Sequence, residues 1–511
     1  MKNMKLISFG IIILLIAFSS KAQKAVISYP FKFEKKNLQK KNYEAYFLAD
    51  NSTGKIPFVL HDNKKADYIM LDNNFKVELK FTADIKKTIF DEYDEEYLGG
   101  AGLRGNNVFH FVYKVTSYKY YGIGSKTTYS YKVETVDFTT KSVSQKALME
   151  MEKGEDELIS YSNFGSYYSF TTNDKTGELI LYTLKADGAI EKKNISVTIP
   201  NDKGKSRNKL SEYMQRTKLV KEDEEAGLET GTQSSKLFDY KDKMVFVIND
   251  AASPTHIVSI DKATFKTTEK FIDHSSVLNT DDKEKFYVNS FLSGDKVFSL
   301  VLDKKNIQVA VYNTAKGNLL KKQEINEDNM LSVLAQLPLA EQRKGGKKTE
   351  NQVTDFSKLL KALTKGTEGL TVAKNAAGQY IITAGTYDPI VVSSGGGPGR
   401  TTFSSSPGAS AISMSPGTFA NYSPGIPIYT TGLANYYKST SFKFILDAAN
   451  LNIAKGILPT SVNDQIKNYM DEVKDKRIAI KQFAIDNKQY YGYYDRDAEE
   501  YIIENIAISK K

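Results

Sequence analysis

One short pattern recurs along the chain and limits what it can fold into: a strand, a tight polar turn opened by Asp or Asn, and a second strand rich in Lys and apolar residues. Residues 68–79 carry it around Asp72-Asn73-Asn74, and residues 256–266 around Asp261-Lys262-Ala263-Thr264. A third copy spans 307–320 with Asn313 and Lys316-Gly317-Asn318, and a fourth spans 442–453 with Asp447 and Asn450. Looser copies centre on Val136-Asp137 and Ala186-Asp187-Gly188. Period-2 alternation or a short apolar run marks the strands, and Asp, Asn and Gly supply the turn. A further hairpin precedes some copies, turning at Ser293-Gly294-Asp295 and at Lys241-Asp242. Each repeat therefore counts as four antiparallel strands.

A single four-stranded unit leaves two open edges, and radial repetition is one way to remove them. Turn-to-turn spacings run from about 50 to about 74 residues over the first five copies, against roughly 40–50 for a propeller repeat, so the excess belongs to loops. On these repeats, residues 40–505 resemble the β-propeller superfold in general. The expected fold is all-β, a propeller of six or seven four-stranded blades with helical and Gly/Ser/Pro-rich insertions. Tandem β-sandwich domains are the alternative. An outer-membrane barrel is rejected, because many strands are short and Lys-rich and the end, Ile508-Ser509-Lys510-Lys511, lacks an aromatic. The strand-like stretch 25–33 and the strand around Tyr501-Ile502-Ile503 lack other partners, so pairing them would close the ring.

Three insertions are expected. Residues 200–236 are polar and charged. Residues 326–375 read as two helices, one with Met330, Leu331, Leu334 and Leu337 on a face and ended by Pro338. The other carries Phe356, Leu359, Leu360 and Leu363, with Thr354 or Asp355 as N-cap and Gly366 as stop. Residues 393–432 are rich in Gly, Ser and Pro and carry one charge, Arg400. A helix is also expected at 462–475 through Val462, Ile466, Met470 and Val473.

At the N-terminus, Lys2 and Lys5 precede an apolar stretch from Leu6 to Phe18, and Ser20-Lys21-Ala22 has small residues at the positions a signal peptidase reads. The stretch is shorter than the roughly 20 residues of a membrane span. Residues 1–22 are thus expected to be a signal peptide, and 23–511 a single exported domain without a later span. Zero cysteines remove disulfides, thiol nucleophiles and Cys-ligated metals, and fit a bacterial envelope better than a eukaryotic secretory route. Periplasmic, outer-membrane-associated and extracellular residence all remain open.

No catalytic constellation emerges. Gly100-Ala101-Gly102-Leu103-Arg104-Gly105 matches a dinucleotide-binding spacing, but a strand follows where a helix is required, so it is read as a β–β loop. Asp91, Glu92, Asp94, Glu95 and Glu96 lack a Ca²⁺-loop frame and read as a solvated acidic loop. His61, His110, His256 and His274 are isolated and read as surface or strand residues. With no tryptophan and 32 tyrosines, tyrosine is the available aromatic contact residue, although it is also a good strand former. The +9 net charge is interspersed with acids and does not form a nucleic-acid footprint.

The reading that follows is a non-catalytic exported propeller without a cofactor or metal. It serves as an interaction scaffold or accessory subunit in the cell envelope, docking to a protein such as an outer-membrane translocon or transporter. The candidate partner-binding residues are Tyr422, Tyr429, Tyr436, Tyr437, Arg343, Lys344, Lys347 and Lys348. A glycan-binding or glycan-cleaving propeller is the alternative.

Overall fold

The structure, a computed structural model, describes residues 25–32, 44–48, 54–61, 65–84, 93–103, 106–120, 125–200 except 153, 209–249 except 223–224, 254–277, 287–302, 306–375 except 335 and 345–346, 377–390, 436–456, isolated positions from 458 to 469, 477–485 and 488–507. The strands form seven antiparallel sheets in chain order, apart from one added parallel strand. Blade 1 is Glu44–Phe47, Ile56–His61, Lys65–Leu71 and Val77–Asp84. Blade 2 is Tyr93–Gly102, Val108–Tyr120, Ser125–Asp137 and Ser142–Met149. Blade 3 is Glu155–Asn163, Ser166–Asn173, Glu178–Leu184 and Ile190–Ser196. Blade 4 is Ser235–Asp239, Lys243–Ile248, Thr255–Asp261 and Thr267–Ile272. Blade 5 is Tyr287–Ser293, Lys296–Leu302, Ile307–Asn313 and Leu319–Ile325.

Blade 6 is irregular. Its inner three strands are Glu368–Lys374, Tyr380–Ile390 and Tyr436–Leu446. The outer position is split between the two-residue strand Ile453–Ala454 and a hairpin from earlier in the chain, Gln336–Lys344 with Lys347–Gln352. Blade 7 is Arg477–Ile485, Lys488–Asp495 and Glu500–Ile506, with Ala25–Pro30 as its fourth strand. The two ends of the chain therefore close the ring as expected, Tyr29 standing opposite Tyr501 and Ser28 opposite Ile502. A register shift between Ala25 and Ile27 leaves Ile27, not Val26, facing Ile503.

Apolar side chains between successive sheets hold the ring. Phe58 meets Phe483 and Tyr501 in one cluster, Met70 meets Phe109, Val133 meets Ile180, and Phe170 meets Phe246 edge-on at 5.1 Å between ring centres. A continuous core then runs through blades 4, 5 and 6, where Phe238 touches Phe291 at 4.9 Å and Phe298 touches Tyr380 at 4.9 Å. Helical Ile466 and Tyr469 pack on Tyr491 and Tyr493 of blade 7 with Val462 beside them; Met470 and Val473 of the helix expected at 462–475 lie outside the described residues. First strands of neighbouring blades meet around the axis, while fourth strands alternate with water, as in Val77–Asp84. This is an all-β propeller of seven blades, and the sandwich alternative falls with it.

The recurring Asp/Asn turn links the third and fourth strands of blades 1 to 6. Asp72 Oδ1 accepts from Asn74 and Lys76 N, Asp137 Oδ1 from Thr139 and Thr140 N, and Asp261 Oδ1 from Ala263 and Thr264 N. Asn313, Asp447 and Asp187 make the same kind of bond. These bonds satisfy turn amides and admit a residue at positive φ just beyond: Phe75, Phe265 and Leu451 lie at 62°, 56° and 59°.

Several expectations are corrected. The first expected helix shortens to α3, Met330–Val333, and the chain runs on as strand Gln336–Lys344 through Pro338. Proline is tolerated there because the register shifts between Gln336 and Leu339, removing the ladder bond it cannot donate. Arg343 and Lys344 consequently end one strand of a hairpin, and Lys347 and Lys348 begin the other. The second helix, α4, Phe356–Leu363, forms with Asp355 capping Lys358 N at 3.0 Å. The 200–236 insertion contains helix α1, Leu210–Tyr213, strand Lys218–Lys221 and helix α2, Leu228–Gly231. That strand adds in parallel to the inner edge of blade 4, on the axial side. Gly99, Gly100 and Gly102 end a strand and are not a free loop; a Cβ on Gly99 would lie 2.3 Å from Ser162 Oγ.

Candidate functional site

Two β-ribbons outgrow the ring on one face. In blade 2, strands Val108–Tyr120 and Ser125–Asp137 pair along their whole length. The first strand stops pairing at Ser117 and the fourth at Tyr131, so the rungs Tyr118–Thr127, Lys119–Lys126 and Tyr120–Ser125 project beyond the sheet. In blade 6, the inner strand stops at Thr386, while Tyr387 to Ile390 pair onward with Ser439 to Tyr436. Both are second-to-third-strand hairpins, which places them on the same face of the ring.

Six of the eight expected contact residues meet at the blade 6 ribbon. Tyr436 and Tyr437 begin its third strand, opposite Ile390 and Pro389. The hairpin Gln336–Lys344 runs antiparallel to that strand, with Gln342 opposite Lys438, so Arg343 and Lys344 continue toward Tyr437 and Tyr436. Its own register sets Arg343 opposite Lys348 and Lys344 opposite Lys347. The blade 2 ribbon repeats the arrangement in its register, with Lys119 opposite Lys126. Tyr422 and Tyr429, in the segment joining the blade 6 ribbon strands, lie outside the described residues.

The same face opens on the axis, where the first strands of blades 1 to 3 begin with acids. Glu157 is fully engaged: Lys114 Nζ donates to Oε2 at 2.7 Å, Tyr131 donates to Oε2 at 2.8 Å, and Ser160 donates to Oε1 at 3.0 Å. Lys114 is buried and sits 4.8 Å above the Tyr129 ring. Glu134 accepts from Tyr68 at 3.0 Å and Gln145 at 2.9 Å, and Lys132 pairs with Glu95 at 2.5 Å. Burial pushes the Glu96 carboxyl up to about 7, with Glu157 and Glu44 adding and Lys114 and Lys481 opposing. Burial lowers Lys481 from the usual ammonium range. Glu95 and Glu96 therefore belong to a half-buried network, correcting the solvated-loop expectation; Asp91 and Glu92 lie outside the described residues. Among the described residues, no group of three His, Asp or Glu side chains is placed to hold a metal ion.

In the described part of the 200–236 insertion, Leu210–Tyr213 packs on blade 3 and Leu228–Gly231 on the inner strands of blades 5 and 6. Lys236, wholly buried, donates to Asn289 Oδ1 at 2.6 Å and Gln233 O at 2.7 Å, and burial lowers it to about 7. Glu368 is raised to about 7, chiefly by burial. Three of the four histidines are buried structural residues, correcting the surface half of their reading. His110 bonds Thr135 at 2.9 Å, His256 bonds Glu269 and Tyr213, and His274 bonds Thr255 and Tyr312. Tyrosine proves largely a core residue, with Tyr131, Tyr167, Tyr312 and Tyr501 among the largest fully buried side chains.

Sequence reasoning missed Glu44, Lys114, Glu157 and Lys481, because they sit on four different blades. Acids near the start of three successive first strands are a signal for Glu44 and Glu157, whereas no local pattern marks Lys114 or Lys481.

No protein-family profile matches the chain, and no curated protein does. Among solved structures, the chain is similar to the Dos1 propeller at 8% identity and a TM-score of 0.28, covering 92% of this chain and 87% of that one. The Nup133 β-propeller domain of Vanderwaltozyma polyspora is similar at 9% identity and a TM-score of 0.23, with 55% and 75% covered. A prolyl endopeptidase is similar at 9% and 0.21, and the chain spans 54% of its length. The propeller assignment rests on the sheet pairing of the chain itself.

Proposed function

We propose that this propeller is a non-catalytic interaction scaffold of a bacterial cell envelope, exported through residues 1–22, that docks an acidic protein surface onto its ribbon face. The observation that carries the reading is the pair of ribbons on one face, each setting cations opposite cations beside tyrosines. Basic residues gathered at the ribbon ends favour an anionic partner, and tyrosine is a residue that supplies rigid amphipathic contact area. The acids at the axial mouth support a non-catalytic role, since Glu95, Glu134 and Glu157 are consumed by hydrogen bonds and ion pairs. One concrete partner is an outer-membrane translocon or transporter approached from the periplasm. Among the described residues no helix is long and apolar enough to cross a membrane.

The test compares native protein with the variant Arg343→Ser/Lys344→Ser/Lys347→Ser/Lys348→Ser in cross-linked envelope fractions. Capture of one partner by the native chain, weakened at least tenfold in the variant and by raised salt, is the expected result. A monomer throughout, or capture indifferent to the variant, refutes the reading. Fractionation of cells expressing the chain with and without residues 1–22 tests export separately.

A further inference from the structure

The opposite face, where the third strands turn into the fourth, holds an open depression of ≈ 330 Å³ at the base of blade 3. Such a volume lies at the small end of ligand pockets. Ser166, Tyr168, Thr183, Lys185, Asp187 and, from the blade 4 turn, Phe265 line it. Tyr168 and Thr183 are cross-strand neighbours, which puts a ring and a hydroxyl side by side on one wall.

The chemistry of this lining is specific. The Lys262 ammonium, which also borders the depression, is 2.8 Å from buried Asp239 and lies over the Phe164 and Tyr168 rings at 4.7 and 5.0 Å. Asp239 is further fixed by Tyr161 at 2.9 Å and Asn163 at 2.6 Å, so this charge is neutralised within the floor. The exposed ions are then one of each sign. Lys185 is partly satisfied by Glu191 at 2.6 Å, and Asp187 uses one oxygen for Ala189 N at 2.9 Å, leaving the other for a ligand. Thr183 Oγ1 is buried and has no hydrogen-bond partner among the described residues. A buried hydroxyl without a partner is costly, and an apolar ligand would leave it so. A phosphate would meet a single accessible ammonium, already paired with Glu191, beside a carboxylate. A ligand with several neutral hydroxyls and an apolar ring face satisfies every group.

We propose that this depression binds one pyranose unit of a neutral glycan, with Asp187 accepting from sugar hydroxyls, Lys185, Ser166 and Thr183 hydrogen-bonding to others, and Tyr168 and Phe265 flanking the ring. It lies on the face away from the ribbons and does not depend on the scaffold reading. The test is saturation-transfer NMR and calorimetry on the full exported chain with glucose, galactose and N-acetylglucosamine, each free and as a neutral tetrasaccharide. Glucuronate and inorganic phosphate are the charged probes. Transfer to at least one neutral sugar is expected, weakened at least tenfold in Asp187→Asn and in Thr183→Val at unchanged melting temperature. The four-fold ribbon variant should bind the sugar as the native chain does. Silence from all neutral sugars, tighter binding of phosphate or glucuronate, or binding indifferent to both pocket variants overturns the proposal.

Discussion

Ser28 and Ile502 face each other across a strand pair that joins the two ends of the chain, which makes them the place to test ring closure. Directly opposed residues on antiparallel strands have Cα atoms about 4.5–5.5 Å apart, inside the range a disulfide accepts. Ser28 is exposed and Ile502 half-buried, so Ser28→Cys with Ile502→Cys removes no fully buried side chain. The bond would close a loop of roughly 475 residues, for which the chain-entropy relation gives about 6 kcal/mol; engineered bridges commonly deliver about 2–4 kcal/mol. At about 2.1 cal/mol/K per residue, a chain of this length has an unfolding entropy near 1 kcal/mol/K, so the oxidised form should melt about 2–6 °C above the reduced form. Non-reducing electrophoresis reports formation of the bridge, and calorimetry with and without reductant reports its effect. Failure to cross-link under oxidation, or a bridge that leaves the melting temperature unchanged, would refute closure through Ala25–Pro30.

Two further substitutions probe the core and the axial mouth. Leu359 is fully buried on α4 against the blade 5–6 core; Leu359→Ala should cost about 2–5 kcal/mol, read from denaturant midpoints at constant slope. For Glu96, the folded carboxyl titrates near 7 against 4.5 in the unfolded chain, so the folded state binds the extra proton and loses stability as pH rises from about 4.5 to 7. Glu96→Gln should therefore raise stability by about 2–3 kcal/mol at pH 8 and by little at pH 4.5. A pH-independent difference would show that the carboxyl is not held neutral.

The fold was legible where a local bond dictates a local shape. Asp72, Asp137, Asp187, Asp261, Asn313 and Asp447 each mark a third-to-fourth-strand turn, because a short side-chain acceptor bonds amides within a few residues of itself. One such turn per blade for six blades, plus a seventh sheet shared by the ends, is the whole architecture. The strand through Pro338 was hidden because Met330, Leu331, Leu334 and Leu337 have helical spacing, and only the split outer position of blade 6 decides otherwise. Strand Lys218–Lys221 was hidden because four residues carry no period, and its partner edge is supplied by tertiary structure. At the candidate site, Arg343 to Lys348 and Tyr436-Tyr437 were visible separately, but their meeting depends on a hairpin pairing with a strand nearly a hundred residues later. The Glu96 network was invisible for the same reason.

The inserted segment and blade 6 approach each other more closely than side chains allow. A Cβ built on Gly369 would stand 2.3 Å from Gly231 O and 2.5 Å from Thr232 Cα, and one on Gly231 would stand 2.8 Å from Leu370 O. All three of these contacts are to backbone, which cannot swing aside as a side chain tip does. The inner strand Glu368–Lys374 is itself pinned by its full ladder to Tyr380–Ile390, and Asn289 Nδ2 donates to Glu368 O at 3.0 Å. The insertion is the weaker party, since α2 is a four-residue helix without a side-chain cap. Gly369→Ala should thus expel the insertion and leave the ring standing. A methyl forced into such a site costs about 1–3 kcal/mol where the surroundings yield. Displacement also uncovers Lys236, whose ammonium donates to Gln233 O in that same segment. Limited trypsin digestion should then cut at Lys218 and Lys221 in the variant well before the blades are attacked, whereas the native chain resists there. Identical digestion of the two proteins would mean that the insertion does not rest on the axial edge of blade 6.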